Sequence, residues 1–460
     1  MKTRLLFLTL LFVSILNLHL TAQTENLTQE DKTNIVETIS KLLNDNYVFP
    51  DVAVKVGEHL KTKLDAGAFD TIKDAKEFSE ILTKEAQSIS HDKHMRIVQP
   101  RRGPVAAGEN INPIYSVYRR KAATKIRNYG FAKLEKLEDN VGYMEITEFP
   151  PLAEAKKFAD LAMKFLASSD ALIIDLRRNG GGNPDLIQYI CSYLFEKPTH
   201  INSIYNRLEN RTKDFITFEK VDGKKMSDVP LFVLTSDYTF SGGEEFAYNI
   251  QTQKRGLLIG ETTKGGANPG GLFPVTNDLG IFIPTGRAIN PITKTNWEGV
   301  GVVPEIKVDS EKALIVALPK AREAALAHKK AQDEKINKII EDVYGSLQDA
   351  IKLYSEGNND KADELIESTI AKGLKNEIID EAAINQFGYT MLSAGNYELA
   401  LTLFKCNVKT YPESSNAYDS LGEAYMNVGD NANAVKNYKK SLELNPANKN
   451  AEDQIKKLSK

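Results

Sequence analysis

The last hundred residues of this 460-residue chain repeat themselves at a fixed distance of 34 positions. Small residues let two helices cross closely, and a proline ends the second helix of a pair. The segment 347–460 is therefore predicted to be an array of stacked helical hairpins, with an ordinary pair of hairpins as the alternative. Five pairs of residues match at this single offset: Gly388 with Gly422, Gly395 with Gly429, Ala400 with Ala434, Phe404 with Tyr438, and Pro412 with Pro446.

A 34-residue period of this kind is typical of tetratricopeptide repeats. A worn earlier copy is predicted in LYSEGNNDKADELI, residues 353–366. Stacked hairpins form a concave groove, so the array is predicted to bind a protein partner, with structural support as the alternative. The charged, lysine-rich segment 311–346 before it is predicted to be a solvated helical linker.

Charge and cysteine content exclude several classes of protein. The chain has 59 basic and 62 acidic side chains, a net charge of −3, and shows no basic stripe, so nucleic acid is not an expected partner. Only Cys191 and Cys406 are present. Two cysteines in different predicted domains exclude a disulfide framework and a thiolate zinc cluster.

Residues 1–22 have the pattern of a signal peptide. Lys2 and Arg4 precede the apolar run LLFLTLLFVSIL, and a plausible cleavage site follows Ala22. An uncleaved anchor is the alternative, but Asn17 and His19 shorten the run below the roughly 20 residues that a spanning helix needs. We expect cleavage, no stable membrane insertion afterwards, and a protein exported to the periplasm or the exterior.

Two further domains are predicted between these ends. In residues 23–100 apolar side chains recur at helical spacing, as in EFSEILTKEAQSIS, which predicts a helical N-terminal domain. In residues 101–310 β-rich runs (VGYMEITEF, ALIIDLR, PLFVLTS and GLLIGE) alternate with helical patterns and glycine-rich turns. This alternation predicts a layered α/β core with a buried parallel sheet.

The turn TFSGGEEFAYNIQ, residues 239–251, holds the first candidate for chemistry. Ser241 and Glu244 match the S-x-x-E capping box, so Ser241 is either a helix cap or a nucleophile. A strand that delivers serine to a helix start, with glycines after it, suits a nucleophile because the hydroxyl projects and the helix N-terminus stabilises negative charge.

Three other stretches carry candidate partners for that serine. DLRRNGGG, residues 175–182, offers backbone N–H groups for an oxyanion or forms a plain turn. SHDKHMRI contains two histidines, His91 and His94, as candidates for a general base or for a plain helix end, and its H-x-x-H spacing lacks further metal ligands nearby. In GETTKGGANPGG, Glu261 could orient a histidine or simply end a strand, and Gly266 replaces the lysine that a phosphate loop requires.

Together with the closing stretch NWEGVGVVPEIKV, these motifs resemble the tail-specific (C-terminal processing) serine peptidase superfamily over residues 30–310. That superfamily includes the tricorn core protease and interphotoreceptor retinoid-binding protein. The resemblance implies a crotonase/ClpP-like peptidase core behind a helical N-terminal domain. About 45 residues separate Met95 from Val141, too few for the PDZ module that many relatives carry.

The resemblance also implies how serine is activated. One branch uses a lysine in the stretch that reads GETTKGGA here, where Gly266 holds the lysine place and Lys264 lies two positions early. The tricorn-like branch uses serine, histidine and glutamate, which implies Ser241, His94 and Glu261 in this chain. Lys93 replaces a usually small residue, and His91 is read as a neighbour that shapes the loop.

These observations predict an exported serine endopeptidase that cleaves peptide or protein substrates through an acyl-enzyme. The N–H groups of Gly181 and Gly242 are predicted to stabilise the oxyanion, and neither a cofactor nor a metal is expected. The alternative is a non-catalytic binding protein for an apolar ligand, as in the retinoid-binding relatives.

Overall fold

Amphipathic helices begin the part of the chain that the computed structural model describes, residues 26–99 and 113–459. Thr28 and Asp74 cap the first and third helices with their side chains, and Pro50 begins the second, where its missing N–H costs nothing. The predicted signal peptide lies outside the described residues. The first helices are α1 (Gln29–Asn46), α2 (Pro50–Asp65) and α3 (Ala75–Ser90).

The α/β part follows, with two short 3₁₀ turns at Asn128–Gly130 and Glu138–Asn140. Its helices are α4 (Pro113–Ile126), α5 (Leu152–Leu166), α6 (Pro184–Ser192) and α7 (Gly242–Thr252). The strands are β1 (Arg96–Val98), β2 (Phe131–Leu137), β3 (Val141–Ile146), β4 (Ala171–Asp175), β5 (His200–Asn206), β6 (Arg211–Ile216), β7 (Leu231–Thr235), β8 (Leu257–Gly260), β9 (Gly270–Pro274), β10 (Gly280–Pro284), β11 (Gly286–Ile289) and β12 (Ile306–Lys307).

A six-stranded sheet of order β12-β8-β7-β4-β3-β2 organises this part. All neighbours in it are parallel except β2 and β3, which are antiparallel. Strands β3, β4 and β7 are buried along their whole length, as predicted for a buried parallel sheet. Because β4 and β7 are parallel neighbours, the segments that follow them meet at one edge of the sheet.

Two small three-stranded sheets complete the α/β part, with orders β1-β10-β9 and β11-β5-β6. Strand β1 pairs antiparallel with β10, and this register sets Arg96 opposite Phe282. The buried face of β1 and β10 continues the apolar core of α1 to α3, through residues such as Ile97 and Ile281. The helical N-terminal segment therefore shares its core with a sheet of the α/β part.

The chain divides into two compact units, residues 1–325 and 326–460. The second unit is helical and contains the predicted repeats. A Cβ atom on Gly388 would lie 2.5 Å from the ring of Phe404, and one on Gly422 would lie 3.0 Å from the ring of Tyr438. Glycine is therefore needed where the helices of each pair cross. The helices from residue 310 onward are α8 (Ser310–Ser355), α9 (Asn359–Lys375), α10 (Glu381–Ser393), α11 (Tyr397–Thr410), α12 (Ser415–Asn427), α13 (Asn431–Leu444) and α14 (Lys449–Leu458).

The turns between paired helices also repeat. Gly395 and Gly429 have positive φ values of 78° and 80°, and Gly357, in the predicted worn copy, has 77°. These values lie in the left-handed region that favours glycine. Both cysteines are buried and unpaired. No helix within the described residues is both long enough and apolar enough to cross a bilayer.

Candidate active site

Ser241 stands where β7 has ended and α7 is about to begin, in a strained backbone conformation. Its φ is 54° and its ψ is −116°, values that a residue with a side chain rarely adopts. Such outliers persist only where the surrounding structure holds them, and they cluster at active sites. A nucleophilic serine on a sharp strand-to-helix turn is known to have this kind of strain. The cap alone does not require it.

Glu244 does more than cap the helix. The Ser241 N–H donates to Glu244 Oε2 at 2.8 Å, which is the backbone half of the capping box. The Glu244 N–H approaches the serine side chain in return, so both halves of the capping box are present. The buried Glu244 carboxylate also accepts from Thr263 Oγ1 at 2.5 Å and from the N–H groups of Gly265 and Gly266 at 2.5 and 2.8 Å. One carboxylate thus fixes the serine turn to the loop 261–269.

The glycine turn after β4 lies directly against Ser241. A Cβ atom on Gly181 would lie 2.8 Å from the Cβ of Ser241 and 3.0 Å from the N atom of Gly242. The Gly181 N–H, however, donates to Asn179 Oδ1 at 2.8 Å. Of the two predicted oxyanion donors, Gly242 is the first residue of α7, whereas Gly181 is engaged by a side chain in this conformation.

His94 is held beside the serine turn. Its side chain is 5% exposed, and its ring lies between Phe240, with centroids 4.4 Å apart, and Phe282, with centroids 5.9 Å apart. Phe240 immediately precedes Ser241. The structure therefore packs the predicted base, His94, against the residue that precedes the predicted nucleophile, Ser241.

The carboxylates grouped with His94 are Asp92 and Glu298, whose oxygens and a ring nitrogen of His94 all lie within 4.8 Å of one another. Glu261 does not belong to this group. Its carboxylate accepts from the Asp237 N–H at 3.4 Å, on the β7 side of the loop. This position follows from the backbone, because the Glu261 N–H donates to Thr235 O and the Thr235 hydroxyl donates back to Glu261 O. The structure thus offers another carboxylate for the role that the sequence suggested for Glu261.

Unpartnered atoms inside this group complement each other. His94 Nδ1 and Glu298 Oε1 are buried and have no hydrogen-bond partner among the described residues. The other oxygen of Glu298 accepts from the N–H groups of Ala267 and Asn268, at 2.5 and 3.1 Å. A small movement that closes Nδ1–H on Oε1 would satisfy both atoms, as in a carboxylate-oriented histidine.

Asp92 holds the loop 91–95, which we call the histidine loop, through hydrogen bonds. It accepts from the His94 N–H at 3.0 Å, the Tyr47 hydroxyl at 3.2 Å and Asn268 Nδ2 at 2.9 Å. With both of its oxygens engaged by protein donors, we interpret Asp92 as a hydrogen-bonding group and not as a metal ligand. Sequence reasoning missed Asp92, Tyr47 and Glu298. Glu298 stands in NWEGVGVVPEIKV, a motif that carried the resemblance but had been given no role.

Burial sets the ionisation of these groups. Desolvation, followed by the charge of Arg96, lowers the pKa of His94 to about 4, so the imidazole is neutral at pH 7. Desolvation also raises the pKa values of Asp92 and Glu298, and the charge of Asp92 raises that of Glu298 further. Burial raises the pKa of Glu244, while the hydrogen bonds it accepts act in the opposite direction.

Gly266, at the lysine place of the other branch, faces the histidine. A Cβ atom there would lie 2.3 Å from Phe240 Cε2 and 2.9 Å from His94 Cε1. A lysine at residue 266 and an imidazole at this position would therefore collide. Any side chain at residue 266 would meet Phe240 as well, so glycine is needed there while both rings keep these positions.

His91 and Lys93, the other two residues of this loop discussed from the sequence, lie on either side of Asp92. His91 ends α3 in the left-handed conformation, with a φ of 53°, and is exposed. The Lys93 ammonium donates to Lys264 O, which joins the histidine loop to the loop 261–269.

Three family profiles match the chain. Peptidase family S41 matches residues 140–308, the N-terminal domain of peptidase S41 in eukaryotic IRBP matches residues 24–124, and the tetratricopeptide repeat matches residues 415–448. These matches agree with the fold described above and with the family that the motifs resemble.

Curated relatives match a limited part of the chain. A carboxyl-terminal-processing protease of Picosynechococcus is 26% identical over 177 residues, which are 38% of this chain and 41% of the relative. The tricorn protease of Thermoplasma volcanium is 25% identical over 132 residues, 29% of this chain and 12% of the relative. A tail-specific protease of Haemophilus influenzae is 30% identical over 99 residues, 21% and 13% of the two chains. The chain thus spans well under half the length of these relatives.

The solved structures that match part of the chain include that of a photosystem II D1 C-terminal processing protease. It is 15% identical with a TM-score of 0.40, and the match covers 62% of this chain and 94% of that one.

Proposed function

We propose, on the premise that residues 140–308 match peptidase family S41, that the chain is a serine endopeptidase that hydrolyses peptide bonds through an acyl-enzyme. The observation that carries the proposal is the strained conformation of Ser241 beside Gly181, with the ring of the preceding Phe240 against His94. Backbone strain of this kind clusters at active sites, which supports a catalytic role for the Ser241 hydroxyl.

In the proposed reaction the Ser241 oxygen bonds to the carbonyl carbon of the substrate while His94 takes the hydroxyl proton. The C–N bond then breaks and His94 gives that proton to the leaving amine. Water, deprotonated by His94, releases the acyl group and restores the serine. A neutral imidazole is the form that can accept the first proton, and burial keeps His94 neutral.

We assign the orienting role to Glu298 in place of Glu261. Glu298 is grouped with His94 and has a buried oxygen available to it, whereas the Glu261 carboxylate accepts from Asp237. An ionised Glu298 would stabilise the imidazolium that forms during the reaction, and its raised pKa in the free enzyme would fall as that positive charge develops.

We assign the oxyanion to the N–H of Gly242, with that of Gly181 as the second donor once Asn179 releases it. Gly242 is the first residue of α7, so its N–H has no partner within the helix, and the helix dipole adds to its effect. The loss of one such donor typically raises the barrier by about 3 kcal/mol. Asn179→Ala should therefore free Gly181 without removing a donor.

The test is labelling with a fluorophosphonate probe, in which the serine oxygen displaces fluoride from phosphorus. We expect the wild-type chain to be labelled, Ser241→Ala to be unlabelled, and His94→Ala to be labelled at least 10³-fold more slowly, as in other serine hydrolases that lose the base. Ser227→Ala, at a half-buried serine whose hydroxyl donates to Glu196, is the matched control and should be labelled like wild type. An unlabelled wild-type chain would remove the proposal.

The match of residues 24–124 to the domain described for eukaryotic IRBP favours one competing function, binding of an apolar ligand without turnover. The two functions separate in the same experiment. A chain that resists the probe but binds retinol tightly would be a binding protein.

We also propose export to the periplasm or exterior after signal cleavage, and a protein-binding role for the second unit. A cavity of about 440 Å³ in that unit supports the second role. Pull-down of a partner by the full chain, and its loss in Tyr344→Ala, would test it. The apolar side chains that line the cavity are Ile340, Val343, Tyr344, Leu347, Ile351, Ile378, Ile379, Phe387, Met391, Leu399 and Leu403.

A further inference from the structure

Five side chains are linked by ring and cation contacts around the candidate base, and we call this set the His94 stack. Its order is Lys264, Phe240, His94, Phe282 and Arg96. The Lys264 Nζ lies 5.5 Å from the centroid of Phe240, and the Arg96 Cζ lies 5.4 Å from the centroid of Phe282. The imidazole contacts both rings, with its centroid 4.4 Å from that of Phe240 and 5.9 Å from that of Phe282. His94 is therefore packed against two phenyl rings, and each of these rings has a cation beside it.

Backbone contacts from separate segments fix both ends of the stack. Arg96 and Phe282 are opposite each other in the β1–β10 pair, so the pairing of these strands holds the second ring and its cation side by side. Lys264 is fixed by its own N–H, which donates to Thr239 O at 3.0 Å, and by Lys93, which donates to its carbonyl oxygen.

Both cations lie in positions that favour attraction to a ring face. An ammonium or guanidinium within about 6 Å of a ring centroid is attracted to that face. Arg96 and Lys264 are themselves exposed, so they contribute little to the buried core. What they can do is hold the phenyl rings against the imidazole, whose rotation would otherwise take it away from the serine and the carboxylate.

We propose that Lys264 and Arg96 are positioning residues for the candidate base, each clamping one of the two phenyl rings that hold the His94 imidazole in its working orientation. The inference rests on the proposed function, because it gives that orientation a catalytic purpose. The two residues have no contact with substrate in this account and act only through Phe240 and Phe282.

The stack also affects the charge of the imidazole. The groups around His94 are Asp92 and Glu298, which favour its protonated form when ionised, Arg96 and Lys264, which disfavour it, and Tyr47, which bonds Asp92. Burial is the main cause of the lowered pKa of His94, and the positive charge of Arg96 lowers that pKa further. Removing Arg96 should therefore make His94 easier to protonate, whereas removing Lys264 should act mainly on ring position.

The experiment compares Arg96→Met and Lys264→Met, which keep length and lose charge, with two matched controls. Lys133 lies 5.4 Å from the ring of Tyr143 and Arg287 lies 5.8 Å from the ring of Tyr205, so Lys133→Met and Arg287→Met remove similar pairs elsewhere. On a peptide substrate, we expect each stack variant to lower kcat about tenfold with little change in KM, since misorientation acts on the chemical step. Lys264→Arg and Arg96→Lys should restore kcat.

A second readout does not need activity. In chains that also carry Ser241→Ala, the midpoint of His94 titration is followed by NMR, with the signal assigned by its loss in His94→Gln. We expect Arg96→Met to raise that midpoint by about 0.3 to 0.5 pH unit, as the loss of one partly solvated charge allows, and Arg287→Met to leave it unchanged.

The proposal is overturned if both stack variants keep kcat within twofold of wild type and Arg96→Met leaves the midpoint where it was. A wild-type chain that the fluorophosphonate does not label shows a different failure, that of the proposed function, and the NMR midpoint alone then decides whether the stack acts on His94.

Discussion

Gly266 offers the sharpest test of the site, since a single methyl group there should disable it. A Cβ atom at residue 266 would lie 2.3 Å from Phe240 Cε2, against the roughly 3.4 Å of an ordinary contact. The ring must therefore move by about 1 Å, and the His94 ring, 2.9 Å from the same methyl, must move with it. A misplacement of about 1 Å can cost on the order of 10²-fold in rate. Overpacking of this kind costs about 1–3 kcal/mol in stability.

The assay is kcat/KM on a peptide substrate together with the rate of fluorophosphonate labelling, for Gly266→Ala and for Gly271→Ala. Gly271 lies in the same stretch, but its Cβ would meet only Phe273, at 3.9 Å, so it is the matched control. We expect a loss of about 10²-fold for Gly266→Ala and wild-type rates for Gly271→Ala. Wild-type labelling by Gly266→Ala at an unchanged melting temperature would refute the idea that His94 and Phe240 fill the lysine place.

Three further predictions concern the carboxylate, the pH dependence and the repeats. Glu298→Gln should lower kcat/KM by about 10³- to 10⁴-fold and Glu261→Gln by less than about tenfold, and the reverse order would restore Glu261 to the site. A histidine has a pKa near 6.5 in the unfolded chain, whereas buried His94 has a pKa of about 4. The stability that neutral His94 contributes is therefore complete above pH 6.5 and is lost as the pH falls toward 4. Between these values, urea titrations should show that His94→Gln removes a slope of about 1.4 kcal/mol per pH unit from the free energy of unfolding. Gly388→Ala should destabilise the repeats by about 1–3 kcal/mol, because its methyl group would clash with Phe404. Gly345→Ala, on an open helix face, should stabilise α8 by up to about 1 kcal/mol. Calorimetry of the full chain measures both changes, and equal effects of the two would contradict the packing argument.

Much of the fold was predictable because it follows from local patterns. The buried strand ALIID and the helix after Ser241 appear where periodicity places them, and the repeat offset locates the crossing glycines of the second unit correctly. These features depend on spacing within one segment, which a sequence displays directly.

The details of the candidate site were less accessible, because they depend on contacts between distant segments. Glu261 follows a strand as an orienting carboxylate might, but its backbone pairing with Thr235 turns it toward Asp237. Glu298 is brought to the histidine by a loop, with no periodic pattern to mark it. The engagement of the Gly181 N–H by Asn179 is likewise a side-chain contact that spacing does not reveal.

The grouping of His94 with Glu298 has a consequence for the synthesis of the protein. The imidazole enters the growing chain more than two hundred positions before the carboxylate proposed to hold it. On this assignment, a nascent chain that already contains the histidine and the serine still lacks part of its catalytic site. Proteolytic power would appear only late in synthesis, when most of the first unit is already available to fold around it.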